Sequence, residues 1–207
     1  MNLKTLTLLT ALAPILLAQA SLMNPASLNE QAPATFKAKF ATTAGDFTVQ
    51  VTRAWSPIGA DRFYNLVKSG FFTDESFFRI VPGFIVQFGI PADPKVAAVW
   101  QNANVKDDPF KQSNAAGTLV FARTSAPNSR CTQFFINLAD NARSLDPQAQ
   151  PGFTPFGKVT EGMNVVQKLY SGYGERPDQV AIQSQGKAYL DKNFPKLDSI
   201  KSATIVP

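Results

Sequence analysis

The chain has 207 residues, with 20 basic and 15 acidic side chains, no histidine and a formal net charge of +5. That modest charge is scattered rather than gathered into a stripe, which argues against a nucleic-acid partner, and the missing imidazole removes the usual forms of zinc hydrolase, Ser-His-Asp hydrolase and Cys-His protease. The lone Cys131 cannot form a disulfide within the chain, so stability has to come from an apolar core.

At the N-terminus, Met1–Lys4 supplies one positive charge, Leu6–Leu17 is apolar apart from Thr7 and Thr10, and Ala18-Gln19-Ala20 has the small-x-small form of an export cleavage site. This pattern predicts a signal peptide over residues 1–20, too short for a membrane span. It also predicts export to a bacterial periplasm or the extracellular space, with no stable membrane insertion after cleavage. Residues 21–34, rich in Ser, Asn, Gln and Pro, read as a flexible leader. Residues 35–207 read as one domain long enough for an ample core.

Thr35–Phe40 and Phe47–Val51 alternate around Ala44-Gly45-Asp46 and predict a β-hairpin. Ser56 then offers an N-cap oxygen and Pro57 suits the first helical position, with Ala60, Phe63, Leu66 and Val67 on one face and Ser69-Gly70 as the stop. Phe77–Val81 and Phe84–Phe88 have strand length and are separated by Pro82-Gly83; Thr118–Ala122 and Phe134–Leu138 follow the same form. Val96–Gln112 is expected to be a structural loop anchored by Trp100 and Phe110. A second helix is expected over Glu161–Tyr170, a third over Ile182–Lys192, and a closing strand over Asp198–Val206. Many short strands joined by irregular loops suggest a barrel or sandwich.

Three segments carry a family resemblance. FFTDESFFRIVPGFIVQFG (Phe71–Gly89), GTLVFARTSAPNSRCTQFFIN (Gly117–Asn137) and FGKVTEGMNVV (Phe156–Val166) occur in the order found in the cyclophilin-type peptidyl-prolyl cis-trans isomerases, and together they resemble that family from about Thr35 through Leu169. The resemblance implies a mainly β fold, a closed eight-stranded antiparallel barrel capped by helices, with a groove on its outer surface. It implies that the chain accelerates rotation about X-Pro peptide bonds in proline-containing unfolded or flexible polypeptides, here exported ones, and works as a monomer.

Position by position, the resemblance makes Arg79 the catalytic arginine and Gln87 the glutamine that orients it. Phe84, Ile85 and Phe135 become walls of the proline pocket, with Leu145 as further lining. Ala122 is the small residue over the groove, Gln133 a second substrate-facing glutamine, and Arg123 a contact through its main chain. Phe153 stands where the family has a histidine at the pocket rim, and Phe78 where it has a histidine before the arginine. The tryptophan expected near Ser144-Leu145 is absent. None of these departures removes a proton carrier that the reaction needs, because rotation about an imide transfers no proton.

No cofactor is expected, since Gly83, Gly89 and Gly117 form no phosphate-binding loop. No metal is expected either: Asp107-Asp108 lacks further oxygen ligands, and Cys131 lacks an adjacent base that would make it a nucleophile. The competing reading is a non-catalytic module that binds proline peptides, or acts as a chaperone, through the same groove. A third is a structural β domain that contacts another protein through its loops.

Overall fold

Two periodicities shape the computed structural model, which describes residues 22–147 and 152–207. The signal peptide expected over residues 1–20 lies outside the described residues. In β1 (Thr35–Thr42) the side chains of Phe36, Ala38, Phe40 and Thr42 alternate inward, and β2 (Asp46–Thr52) pairs with it antiparallel from Thr35↔Thr52 to Ala41↔Asp46. Gly45, at φ +125°, turns the hairpin where a side chain would be strained. Helix α1 (Pro57–Lys68) buries Ala60, Phe63, Leu66 and Val67 against the sheet and ends before Gly70 at φ +71°.

The remaining strands are β3 (Arg79–Val81), β4 (Ile85–Phe88), β5 (Thr118–Phe121), β6 (Phe134–Asn137), β7 (Pro155–Glu161) and β8 (Ile200–Val206). They join the hairpin in one antiparallel sheet of order β3-β4-β6-β5-β7-β2-β1-β8. Its concave side holds a phenylalanine-rich core. Phe40 stacks on Phe47 with centroids 4.9 Å apart, and Phe63, Phe72, Phe88, Phe121, Phe134 and Phe156 continue the cluster. Each such ring contributes about 2–3 kcal/mol through burial.

The closed barrel expected from the resemblance is not what forms. β3 and β8 are the two ends of the strand order with no ladder between them, so the sheet curls into an open half-barrel. The chain just before each strand makes a single bridge, Ser76↔Ser199, flanked by backbone bonds from Phe77 N to Asp198 O and from Ile200 N to Glu75 O. Beyond it the outer edge of β3 is taken by a turn, since Ile80 N–H donates to Gly174 O at 3.2 Å. That occupied edge leaves β8 no partner on β3.

Short helices complete the fold: α2 (Pro94–Trp100), α3 (Ala142–Leu145), α4 (Met163–Lys168), α5 (Gln179–Gln185) and α6 (Lys187–Asn193). The single helix expected over 182–192 is thus divided. Gly186 sits at φ +63°, and a Cβ there would lie 2.2 Å from Ala92 O, so the close approach of two segments interrupts the helix. Ser56 makes no side-chain cap on α1. Its hydroxyl donates to Asp108 Oδ2 at 2.5 Å, and Asp108 itself accepts from Ile58 N and Gly59 N at 3.1 and 2.9 Å. The segment expected to be a loop over 96–112 starts as the end of α2. Trp100 anchors it from within the core, whereas Phe110, expected as the second anchor, is among the more exposed apolar residues.

Within the segment before β1, Leu22 is buried and its carbonyl accepts from Trp100 Nε1 at 2.8 Å, while Asn65 of α1 bonds both the N–H and the C=O of Glu30. No helix among the described residues is long and apolar enough to cross a membrane.

Candidate active site

The strand pleat sorts two adjacent rows of residues onto opposite faces. Ile80, Val86, Ile136 and Leu119 are cross-strand partners on β3, β4, β6 and β5, and all face the core. One residue away, Arg79, Gln87, Phe135 and Val120 form the parallel row on the convex face. Register alone therefore places Arg79 beside Gln87 and Gln87 beside Phe135.

Side-chain hydrogen bonds run along this row. Arg79 Nη1 donates to Gln87 Oε1 at 3.2 Å, and Gln87 Nε2 donates to Gln133 Oε1 at 2.8 Å. Gln87, nearly buried, thus has both ends of its amide satisfied and one orientation. On its other side Arg79 Nε donates to Glu175 Oε1 at 2.7 Å, and Nη2 donates to the same oxygen. The guanidinium is held at both flanks and remains partly open to solvent.

Next to it lies an apolar patch separate from the main core. Ile85, Val120, Phe135 and Leu145 are buried together, with Phe84, Ala122 and Phe153 partly buried against them. Phe153 meets Phe135 edge to face with centroids 5.5 Å apart. Ala122 and Gln133 also border a groove of about 570 Å³ whose far side is formed by Gln101, Gln179 and Gln183. Arg123 borders the same groove, but its guanidinium turns toward the loops, donating to Ala126 O at 3.1 Å and lying 3.8 Å from Asp107 Oδ2.

A polar relay behind the patch fixes its rim. Asn141 Nδ2 donates to Phe84 O at 2.9 Å and to Asn137 Oδ1 at 2.7 Å, and Asn137 in turn reaches Asn114 and Thr118. Asn114 Nδ2 donates to Phe153 O at 2.9 Å and to Asp146 Oδ1 at 2.8 Å, while Phe153 N closes back onto Leu145 O at 2.9 Å. Burial works to raise the Asp146 carboxyl, but bonds from Ser113 and Asn114 outweigh it and hold the group below the usual carboxylate range.

All ten residues singled out from the sequence fall on or beside this face, and two relevant ones escaped it: Val120, hidden in an apolar strand, and Glu175, in a polar turn without periodicity. Phe78, at the first histidine position, packs away from the site with Ile90, Ile182 and Leu190. The Asp107-Asp108 pair is a clasp for Arg130 and the start of α1. Among the described residues no group of three His, Cys, Asp or Glu side chains is placed to hold a metal ion. The Cys131 thiol, raised by burial, contacts Trp100 O at 2.6 Å as part of the packing under α2.

This arrangement offers an anchored donor beside an apolar wall, with amides spaced along the strand for a peptide backbone. It holds no nucleophile paired with a base. The family model for cyclophilin type peptidyl-prolyl cis-trans isomerases matches residues 37–187. The chain is 38% identical to peptidyl-prolyl cis-trans isomerase A of Dickeya dadantii over 130 residues, 62% of this chain and 67% of that protein. It is 33% identical to peptidyl-prolyl cis-trans isomerase B of Escherichia coli over 175 residues, 81% of this chain and 97% of that one. Among solved structures, a cyclophilin-type isomerase of Cryptosporidium parvum, determined in the presence of the dipeptide Ala-Pro, superposes with a TM-score of 0.62 at 19% identity, covering 83% of this chain and 99% of that one.

Proposed function

The chain belongs to the cyclophilin-type peptidyl-prolyl cis-trans isomerase family and accelerates rotation about X-Pro peptide bonds; we propose that it does so with Arg79 as the catalytic donor, on polypeptides outside the cytoplasm. The observation that carries the assignment of Arg79 is the row Arg79–Gln87–Phe135, in which one register sets a held guanidinium beside an apolar wall.

The chemistry needs little else. Rotation about an imide bond is slow because it destroys C–N resonance, at a barrier of roughly 20 kcal/mol. In the twisted state the nitrogen lone pair is localised and accepts a hydrogen bond, whereas in either planar state it is delocalised. A donor aimed at that nitrogen therefore favours the transition state over both ground states. Ile85, Val120, Phe135 and Leu145 supply the wall for the proline ring, and Phe84 and Phe153 supply its rim. Gln133 and the main chain at Arg123 meet the peptide backbone, with the small Ala122 over the groove. Every residue given a role lies within the domain over 35–207, so the proposed chemistry needs no second chain.

The test compares wild type, Arg79→Ala and Arg79→Lys by exchange between cis and trans peptide signals. A transition-state bond worth roughly 3 kcal/mol predicts a loss of about two orders of magnitude in catalytic efficiency for Arg79→Ala. Peptide affinity changes less, because the apolar wall stays. Arg79→Lys is also impaired, since an ammonium lacks the planar fork that Gln87 and Glu175 hold. Equal activity in folded wild type and Arg79→Ala excludes this mechanism; peptide binding with no turnover in either points to the non-catalytic binding module.

A further inference from the structure

We propose that Glu175 is a positioning residue for Arg79, fixing the plane of its guanidinium so that the remaining N–H groups face the twisting imide. The inference rests on the assignment of Arg79 as the catalytic donor.

An arginine carries five N–H donors on a long, freely rotating side chain. Arg79 stands on a three-residue edge strand with its side chain about a quarter exposed, where packing alone does not select a rotamer. Two acceptors on opposite flanks do so instead. Glu175 Oε1 receives the Nε and Nη2 protons, and Gln87 Oε1 receives one from Nη1. Three points define a plane. One N–H on each terminal nitrogen is left over for substrate.

Glu175 is placed well enough to act as a clamp because its own turn is built. Gly174 N bonds Ser171 O at 2.9 Å, Arg176 N bonds Tyr173 O at 3.1 Å, and Gly174 O accepts from Ile80 N of β3. The turn is thus tied by its backbone to the residue next to Arg79. The neighbouring cation in sequence, Arg176, has its guanidinium bonded to Gly172 O and Tyr173 O and lying over the Tyr173 ring.

The pair has little to do with holding the fold. The Glu175 side chain is 61% exposed, and ion pairs in such surroundings add little to stability. Orientation is the larger effect, because a donor misplaced by a fraction of an ångström loses much of a transition-state bond. A carboxylate against a catalytic cation could also act in the opposite sense, by competing with substrate. The two roles differ in the sign of their effect on turnover.

The experiment measures kcat and KM for wild type, Glu175→Ala, Glu175→Gln, Arg79→Ala and the Arg79→Ala/Glu175→Ala double variant, with thermal melting of each. Glu175→Ala is expected to lower kcat roughly tenfold and leave KM within about twofold, with an unchanged melting temperature. Glu175→Gln recovers part of the loss, since its amide oxygen accepts the same bonds. In the Arg79→Ala background the second substitution adds nothing, as two residues acting through one bond require. Unchanged kcat, raised kcat, or an equal loss in the Arg79→Ala background overturns the proposal while leaving Arg79 in place. Wild type and Arg79→Ala turning over equally would instead remove the assignment of Arg79, and this proposal with it.

Discussion

Glu75 and Asp108 are both buried carboxyl groups, and their surroundings push them in opposite directions. Among the described residues neither Glu75 oxygen meets a well-aligned hydrogen-bond donor, so burial raises its pKa well above the ordinary value, and the nearby Gly89 N–H offsets this only in part. The unfolded chain ionises at about pH 4.3, and the folded one resists until its own raised pKa. Stability attributable to this group is therefore full below the unfolded value and declines as pH rises toward the folded one. Glu75→Gln is expected to raise the melting temperature near neutral pH, with the gain shrinking as the pH falls toward that of a free glutamate. Thermal scans across pH check this, and a gain that does not vary with pH counts against it. For Asp108, burial also favours the neutral acid, but Ser56, the Gly59 and Ile58 N–H groups and Arg130 together outweigh it and lower the pKa. Its contribution has the opposite sign: present above about pH 3.9, the ordinary aspartate value, and lost as pH falls through the folded pKa.

Among the secondary-structure elements, what was local in cause was legible. The hairpin of β1 and β2 follows from the alternation of Phe36, Ala38 and Phe40 with Phe47, Val49 and Val51, and α1 from an apolar stripe bounded by Pro57 and Gly70. The cap of α1 was not legible, because its acceptor is Asp108, about fifty residues downstream, and no sequence window joins them. Asp108→Ala should remove that cap and the closer of the two carboxylates on the buried Arg130 guanidinium, which keeps Asp107 and Ser56, at a cost of about 2–3 kcal/mol. Urea denaturation measures it, and a loss below about 1 kcal/mol would make the clasp incidental. The site divides in the same way. Arg79, Gln87 and Phe135 were readable because contiguous motifs carry them, whereas Val120 joins the row only through the pairing of β5 with β6, and Glu175 only through the bond between Gly174 and β3.

At the scale of the whole molecule, eight antiparallel strands are what the family resemblance implies, whereas segment lengths alone suggest a barrel or sandwich and miss β7; closure follows from neither. It depends on which backbone atoms reach the outer edge of β3. On the N-terminal side, Leu22 lies in the core and its carbonyl accepts from Trp100 Nε1. Cleavage after Ala20 would leave that residue next to the new terminus. Protein exported by its native host is expected to begin near Ser21 by N-terminal sequencing or intact mass, and a folded exported product that retains Met1–Ala20 would refute the signal assignment. The occupied edge of β3 has one more consequence. An enzyme whose clients are extended, unfinished chains is at risk from any bare strand edge, because a client could add itself there as one more strand and stay. By giving Ile80 N–H to its own turn, this protein withholds that template beside its active site. In the proposed site a client is met by a ring pocket, a few side-chain amides and the main chain at Arg123 rather than as an added strand, and such a grip lets go.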